Sequence, residues 1–505
     1  MSITNSNLIN TAIGLLLITP PPSHFRELRE FVIFLALFGA LAAETFLIPQ
    51  TASLRPWIQG EALPIVRLLD DDSVVLSYVA SAENEHSADE HVAGVVDSES
   101  ENASHTTQAL EVPESRGVAN GVPLEMAAGS MDSFFRGLRA RESGGRSVRV
   151  LHWGDSTIAA DGVAGTVRRE LQSRFGDAGP GFLPASVDIR WVFRPNIARW
   201  QRGDWDSHNI AQGGLVSARY GLAGAVATAS SGASVVLGGE ERGGARSLTT
   251  VFDLFYQERP NGGDLVVTAG GHEERISTSG PRVVDRFHLF QVPEGVETWR
   301  VEVEDGDAVI YGAALERGGL GLTWETLGVA GSSVGSMKAQ GPAHIQGQVE
   351  RRDPDLVVYE TGGNSLQFDS FVSGSGERYF DEYVQVFSRL RAGAPNASCL
   401  VVAPLDQGVR VRGRVESVEA IPRMVELQRL AASELGCAFW SAFSVMEGGF
   451  PLWMAQEPTL TWVDLVHLSE EGRELVGLAM TDAILLAYDQ WVTDLELSRQ
   501  QLSEG

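Results

Sequence analysis

Four short stretches of this chain hold groups suited to acyl transfer: Gly154-Asp155-Ser156, Gly328-Val329-Ala330-Gly331, Thr361-Gly362-Gly363-Asn364 and Asp464-Leu465-Val466-His467. A serine hydroxyl is a poor nucleophile until a base takes its proton. His467 is the candidate base for Ser156. Asp464, three residues earlier, can orient the imidazole and stabilise its charged form. Attack on an ester builds a tetrahedral oxyanion, and preorganised donors at that oxygen are often the largest single contribution to rate. Three donors are candidates: the Ser156 N–H at the start of a helix, the Gly331 N–H and the Asn364 side-chain amide. Glycine at 331 lets the backbone approach the substrate closely.

Taken singly, each stretch has a commoner reading. Gly-Asp-Ser recurs by chance, and a Ser ahead of a helix is more often a cap than a nucleophile. Asn after two glycines is usually a turn, and Asp-x-x-His is often a surface turn. Other candidates carry less. His208, His272, His288 and His344 are scattered with no metal-ligand spacing, so no metal site is expected. Gly-rich stretches such as GGLGL lack the lysine and strand–helix context of a phosphate loop, and no organic cofactor is implied. Glu350-Arg351-Arg352-Asp353, ahead of Pro354, reads as a solvated helix end.

The four stretches gain weight from the elements that carry them. In an open parallel sheet, sites form at the carboxyl ends of strands. The folded body is expected to start near Met126, with helical spacing at Phe134, Phe135 and Leu138. A strand over Val148–Trp153 ends at Gly154-Asp155-Ser156, and a helix from Ala159 to Phe175 follows. Strands over Leu322–Leu327 and Asp355–Glu360 end at the second and third stretches. Further on, the pattern gives helices at Tyr379–Leu390 and Ile421–Leu435, with strands at Cys399–Pro404 and Cys437–Trp440. Ser469 can cap a last helix, Glu470 to about Trp491. Strands alternating with helices give a parallel sheet covered on both faces.

Residues 187–317 follow another rhythm. Short alternating runs such as TTVFDLFYQ, DLVVTAG and WRVEVED, divided by turn residues, predict an all-β sandwich inserted into the α/β domain. Its aromatics, Trp191, Trp200, Trp205, Tyr220, Tyr256 and Trp299, are mostly expected in its core, although such rings can also stack on sugars. The predicted domains are therefore 1–48 (a hydrophobic signal or anchor region), 49–125 (an acidic flexible linker), 126–186 and 318–495 (the two parts of the α/β domain), 187–317 (the sandwich) and 496–505 (a tail).

Taken together and in this order, the four stretches resemble the SGNH (GDSL-type) hydrolase family, over residues 130 to 186 and 318 to 490. The resemblance implies a flavodoxin-like three-layer α/β hydrolase domain. It also implies Ser156, His467 and Asp464 as a catalytic triad, and an oxyanion hole made by Ser156, Gly331 and Asn364. The run GDSTIAADGVAGTVRRELQSRFGDAGPGF is similar to the first block of bacterial peptidoglycan O-acetylesterases, which carry a carbohydrate-binding-like, jelly-roll-like β-sandwich inserted after it. Thr157 departs from that pattern, where His is frequent. The implied activity is removal of acyl groups, chiefly O-acetyl, from a cell-envelope or extracellular glycan such as peptidoglycan. Glycan O-acyl transfer from the same site and non-catalytic glycan binding are the alternatives.

Composition bounds the rest. The 505 residues exceed one ordinary core, and 43% apolar with 21% charged residues is a globular balance. A net charge of −27 argues against a nucleic-acid partner, whose phosphates need a basic face. Arg26 and Arg29 precede a 13-residue apolar run, Phe31–Ala43, which suits a signal peptide with a cleavage site at Ala40-Leu41-Ala42. Continued through residue 48, the same run suits membrane attachment. Export to the periplasm, envelope or medium is expected either way. Cys399 and Cys437 are expected as buried free thiols, with one disulfide in an oxidising compartment as the alternative.

Overall fold

The computed structural model describes residues 121–185, 197–242, 245–367, 371 and 376–504. The expectations for residues 1–48, for the linker up to residue 120 and for Trp191 lie outside the described residues. The last residues assigned to the linker belong to the fold. Glu125 exchanges two backbone hydrogen bonds with Phe439, of 2.9 and 2.8 Å, and Leu124 is buried.

The chain opens with α1 (Asp132–Glu142), β1 (Val148–Gly154), α2 (Ser156–Ala159) and α3 (Val163–Phe175). It then enters the β-domain through β2 (Gly181–Pro184), β3 (Ile197–Arg202), β4 (Trp205–Asn209), β5 (Ala225–Ser230), β6 (Ser234–Arg242), β7 (Ala245–Arg246), β8 (Thr249–Glu258), β9 (Asp264–Ala269), β10 (His272–Ser277), β11 (Val284–Val296), β12 (Thr298–Asp305) and β13 (Asp307–Glu316). It returns with β14 (Leu322–Gly328), α4 (Val334–Met337), α5 (Pro342–Arg352), β15 (Leu356–Glu360), α6 (Glu377–Arg391) and β16 (Ser398–Ala403). A hairpin, β17 (Gly408–Val411) and β18 (Arg414–Ser417), leads to α7 (Ile421–Glu434), β19 (Ala438–Ser441), α8 (Ala442–Val445), α9 (Gly449–Met454) and α10 (Glu470–Glu504).

The α/β body is a five-stranded sheet in the order β14-β1-β15-β16-β19, and every pairing is parallel. Alternation along β1 shows why both faces are covered. Val148 and Val150 join a core with Phe134, Val167, Met480 and Ile484 of α1, α3 and α10. Leu151 and Trp153 point the other way, toward Ile345, Tyr383, Phe387 and Met424 of α5, α6 and α7. This is the expected three-layer arrangement.

The β-domain is two antiparallel sheets, β10-β9-β12-β6-β3 and β11-β8-β13-β5-β4, with a core containing Leu254, Trp299, Val301 and Ile310 between them. Its second sheet is covered twice. Phe255 and Tyr311 point outward from it and join the core of the α/β body. Of the insert aromatics described, Tyr220, Tyr256 and Trp299 are buried, Trp205 is partly buried, and Trp200 is 48% exposed.

Several expectations need correction. The insert begins earlier than residue 187, because β2 pairs antiparallel with β13, Leu183 opposite Ala313. The helix expected from Ala159 to Phe175 is two helices. Asp161 adopts a left-handed φ of 55°, and its carboxylate turns inward to Arg168 (2.7 Å) and Thr326 (2.7 Å). The tail expected at 496–505 is helical to Glu504. It contains no Gly or Pro before residue 505 and is rich in helix-forming Leu, Glu, Gln and Arg.

The free-thiol expectation is also overturned: Cys399 and Cys437 form a disulfide. Strands β16 and β19 pair with Leu400 opposite Ala438, so the residues just before that pair face each other, 4.8 Å apart at Cα. Arg351 and Arg352 are no solvated helix end. Arg352 is 3% exposed and pairs with Glu325 of β14 and with Glu316 of β13, while Arg351 pairs with Asp253 of β8 at 2.7 Å. Charges at this junction are complementary. The α/β body supplies Arg149, Arg351 and Arg352, and the β-domain supplies Asp253 and Glu316. Burial alone would raise the Glu316 carboxyl, but Arg352 and Arg149 outweigh it and hold it at about 2.

Candidate active site

The four stretches meet at the carboxyl end of the parallel sheet. Strand β1 ends at Gly154, where a Cβ would lie 2.6 Å from the Glu360 carbonyl oxygen, so only glycine fits between β1 and β15. Asp155 caps α2 by accepting the Thr157 N–H at 3.1 Å, which leaves Ser156 as the first helical residue. The loop after β14 is tied back to β1: Val329 N–H and Ser332 Oγ–H both donate to the Gly154 carbonyl, at 3.1 and 3.2 Å. The loop after β15 is tied to both. Asn364 Nδ2 donates to the Ser332 carbonyl at 2.8 Å, and the Gly362 N–H bonds the Asp155 carboxylate.

The fourth stretch closes the site across 311 positions of sequence. His467 Nε2 stands 2.8 Å from Ser156 Oγ, and its Nδ1 stands 2.8 Å from Asp464 Oδ2. An ionised carboxylate only accepts, so the imidazole proton sits on Nδ1 and Nε2 is free to accept the Ser156 hydroxyl proton. The other Asp464 oxygen accepts the backbone N–H groups of Val466 and His467, at 2.9 and 3.0 Å. These bonds lower the Asp464 pKa against the opposing effect of burial. The bond to Asp464 raises the His467 pKa above its ordinary value. Burial pushes the Asp155 carboxyl up to about 6, against the Thr157 and Gly362 N–H bonds that favour its charged form.

The oxyanion-hole candidates are arranged differently from one another. Ser156 N–H lies in the first turn of α2, where helical N–H groups have no intrahelical partner. Gly331 has a φ of +78°, and a Cβ there would meet only Ala211 at 3.9 Å. Its glycine is therefore required by the left-handed backbone rather than by lack of room. Asn364 spends one amide hydrogen on Ser332 and keeps the other. Both Ser156 and Asn364 line a cavity of about 20 Å³, with Asp155, Glu360, Gln407 and Val466.

Some contributors were not visible in the sequence reading. The loop after β16 places Pro404, Leu405 and Gln407 on the cavity wall, and the strand-end rule applied to β16 would have found them. His152 and Glu360 are buried behind the Gly154–Ser156 turn. Trp324 Nε1–H donates to His152 Nδ1 at 3.1 Å, so the neutral ring carries its proton on Nε2, which faces Glu360 at 3.5 Å. The β-domain also reaches the site: Ile210 and Gly224 pack against Val329, and Ala211 faces Gly331.

Residues 295–475 match the GDSL-like lipase/acylhydrolase family. That span holds Gly331, Asn364, Asp464 and His467, and excludes Ser156, which the insert separates from it. No curated protein matches the chain. Among solved structures, a peptidoglycan O-acetylesterase is 18% identical with a TM-score of 0.59, covering 71% of this chain and 96% of its own. An acetyl xylan esterase, AlAXEase, is 19% identical over 31% of this chain and 78% of its own, with a TM-score of 0.24. An acetylxylan esterase from Geobacillus stearothermophilus is 20% identical over 33% and 73%, also with a TM-score of 0.24. The match of residues 295–475 to acylhydrolases makes this chain a carboxylic ester hydrolase, and its three-layer fold is shared with the solved peptidoglycan O-acetylesterase.

Proposed function

We propose that this esterase is exported and removes O-acetyl groups from a cell-envelope or extracellular glycan, with Ser156 as nucleophile, His467 as base and Asp464 as its orienting partner. The observation that carries the mechanism is the unbroken line Ser156 Oγ–His467–Asp464, two contacts of 2.8 Å each. Ser156 Oγ attacks the ester carbonyl carbon while its proton passes to His467 Nε2. The oxyanion forms against the Ser156 and Gly331 N–H groups and the free Asn364 amide hydrogen. Collapse breaks the bond to the sugar oxygen, which takes the proton from His467. Water, deprotonated by His467, then attacks the acyl-enzyme, and acetate leaves with Ser156 restored.

Support for a short acyl group comes from the cavity beside Ser156. At about 20 Å³ it holds a water-sized group, the scale of an acetyl methyl. Support for a glycan substrate comes from the shared fold with a peptidoglycan O-acetylesterase. Support for export comes from the Cys399–Cys437 disulfide, a bond that persists in oxidising compartments, together with the Arg-flanked apolar run at 31–43. The reading is tested by acetate release from p-nitrophenyl acetate and from O-acetylated peptidoglycan. Inertness toward both, with transfer of acetyl to an added sugar, would replace hydrolysis by acyl transfer.

Two expected outcomes follow from the geometry. Asn364→Ala lowers kcat by about 10²–10³, or about 2.7–4 kcal/mol, and leaves KM for p-nitrophenyl acetate within a fewfold. A loss confined to KM would remove Asn364 from the oxyanion hole. The pH dependence follows from the sign of the His467 shift. The base must be neutral, and its pKa is raised, so kcat/KM rises with pH through a midpoint above 6.5. Asp464→Asn removes the negative charge that favours the protonated imidazole and moves that midpoint down. A wild-type midpoint below 6.5 would contradict the assignment.

A further inference from the structure

Resting on the mechanism just proposed, we infer that Trp462 is the platform on which the sugar ring of the leaving group stacks, and so determines specificity for pyranose esters. Most described tryptophans are in the core: Trp153, Trp299, Trp324, Trp440 and Trp453 are all fully buried. Trp462 is 48% exposed, and its neighbour Val463 is 65% exposed. Among the described residues, Trp200 is the other exposed large aromatic, and it lies on β3 of the β-domain, outside the site.

The ring is held beside the base. Trp462 N–H donates to the His467 carbonyl at 2.8 Å, and Thr461 bridges to Leu468, so the two residues face each other across a tight loop. The indole meets the imidazole edge-on, with centroids 6.5 Å apart. The Arg473 guanidinium lies 5.9 Å from the indole centroid and further fixes the ring.

Reaction geometry decides which part of the substrate can reach it. His467 Nε2 returns its proton to the departing oxygen, so that oxygen must sit within hydrogen-bond reach of the imidazole. On that mechanism the oxyanion points to the Asn364 and Gly331 donors, and the acyl methyl takes the part of the cavity lined by Leu405 and Gln407. The group attached to the departing oxygen is left with the His467 side, where Trp462 is exposed. A pyranose ring presents a face of C–H groups that packs flat on an indole, and a short acyclic alcohol does not.

The test compares two esters with one acyl group: soluble O-acetylated peptidoglycan fragments and ethyl acetate. In Trp462→Ala, kcat/KM for the fragments is expected to fall at least tenfold further than for ethyl acetate, mainly through KM. Trp462→Phe, which keeps an aromatic face, is expected to restore the ratio to within threefold of wild type. An equal loss on both esters, or a shifted acid limb of the pH profile, would make Trp462 a support for His467 and overturn the inference. So would an unchanged ratio. Absence of turnover on either ester by the unaltered protein would instead defeat the esterase mechanism, and the inference with it.

Discussion

Ser156→Ala is expected to lower kcat on p-nitrophenyl acetate by about 10⁴-fold or more while the protein stays folded. Removing the nucleophile of a triad leaves only what the oxyanion donors and substrate binding supply, because the members act as a unit. The rest of the site should persist. His467 keeps both ties to Asp464, through Nδ1 at 2.8 Å and through its backbone N–H at 3.0 Å. Ser156 Oγ itself contributes one hydrogen bond, to a half-exposed imidazole. The thermal midpoint should therefore move little, and steady-state kinetics with a melting curve on the same sample separates chemistry from folding. Retention of more than a tenth of the rate would remove Ser156 from the reaction and turn attention to a directly activated water.

Arg352→Ala is expected to destabilise the fold by about 3–5 kcal/mol, the usual cost of stripping the partner from a buried charge. Glu325 is 0% exposed, and the Arg352 guanidinium is its countercharge. Glu316 also loses Arg352, at 2.6 Å, but retains Arg149 at 2.9 Å, so Glu325 is the group left stranded. Denaturant unfolding measures the loss. The double variant Arg352→Met with Glu325→Gln removes both charges and keeps an acceptor for the Phe182 N–H that Glu325 serves at 3.2 Å. It should recover most of the stability. If the double variant is no more stable than Arg352→Ala, the cost lies in lost packing at the junction of the two domains and not in an uncompensated charge.

Both variants touch groups that the sequence displayed with unequal clarity. Ser156 was legible because it ends an apolar strand and begins a helix, and strand ends in a parallel sheet are where ligands bind. Asp464 and His467 were legible as a pair because three positions bring them within reach of one another in a turn, and they form that contact. Arg352 was misread because two arginines beside a glutamate and an aspartate look solvated when nothing in the local pattern announces a facing carboxylate. Its partners Glu316 and Glu325 lie on strands of different sheets.

The sequence by itself determined the periodicities, and with them the α/β rhythm, the interposed antiparallel strands and the residue types at the strand ends. Side-chain alternation in a strand and spacing in a helix record which face will be buried, and that information is local. Only the tertiary structure decided which buried faces meet. It joined Ser156 to His467 and Cys399 to Cys437, recruited β2 into the β-domain, turned Asp161 inward to Arg168, and set the 210–224 loop behind Gly331. Each of these rests on strand order, register or charge pairing between distant segments, and a local pattern of apolar and polar residues does not encode the identity of its partner.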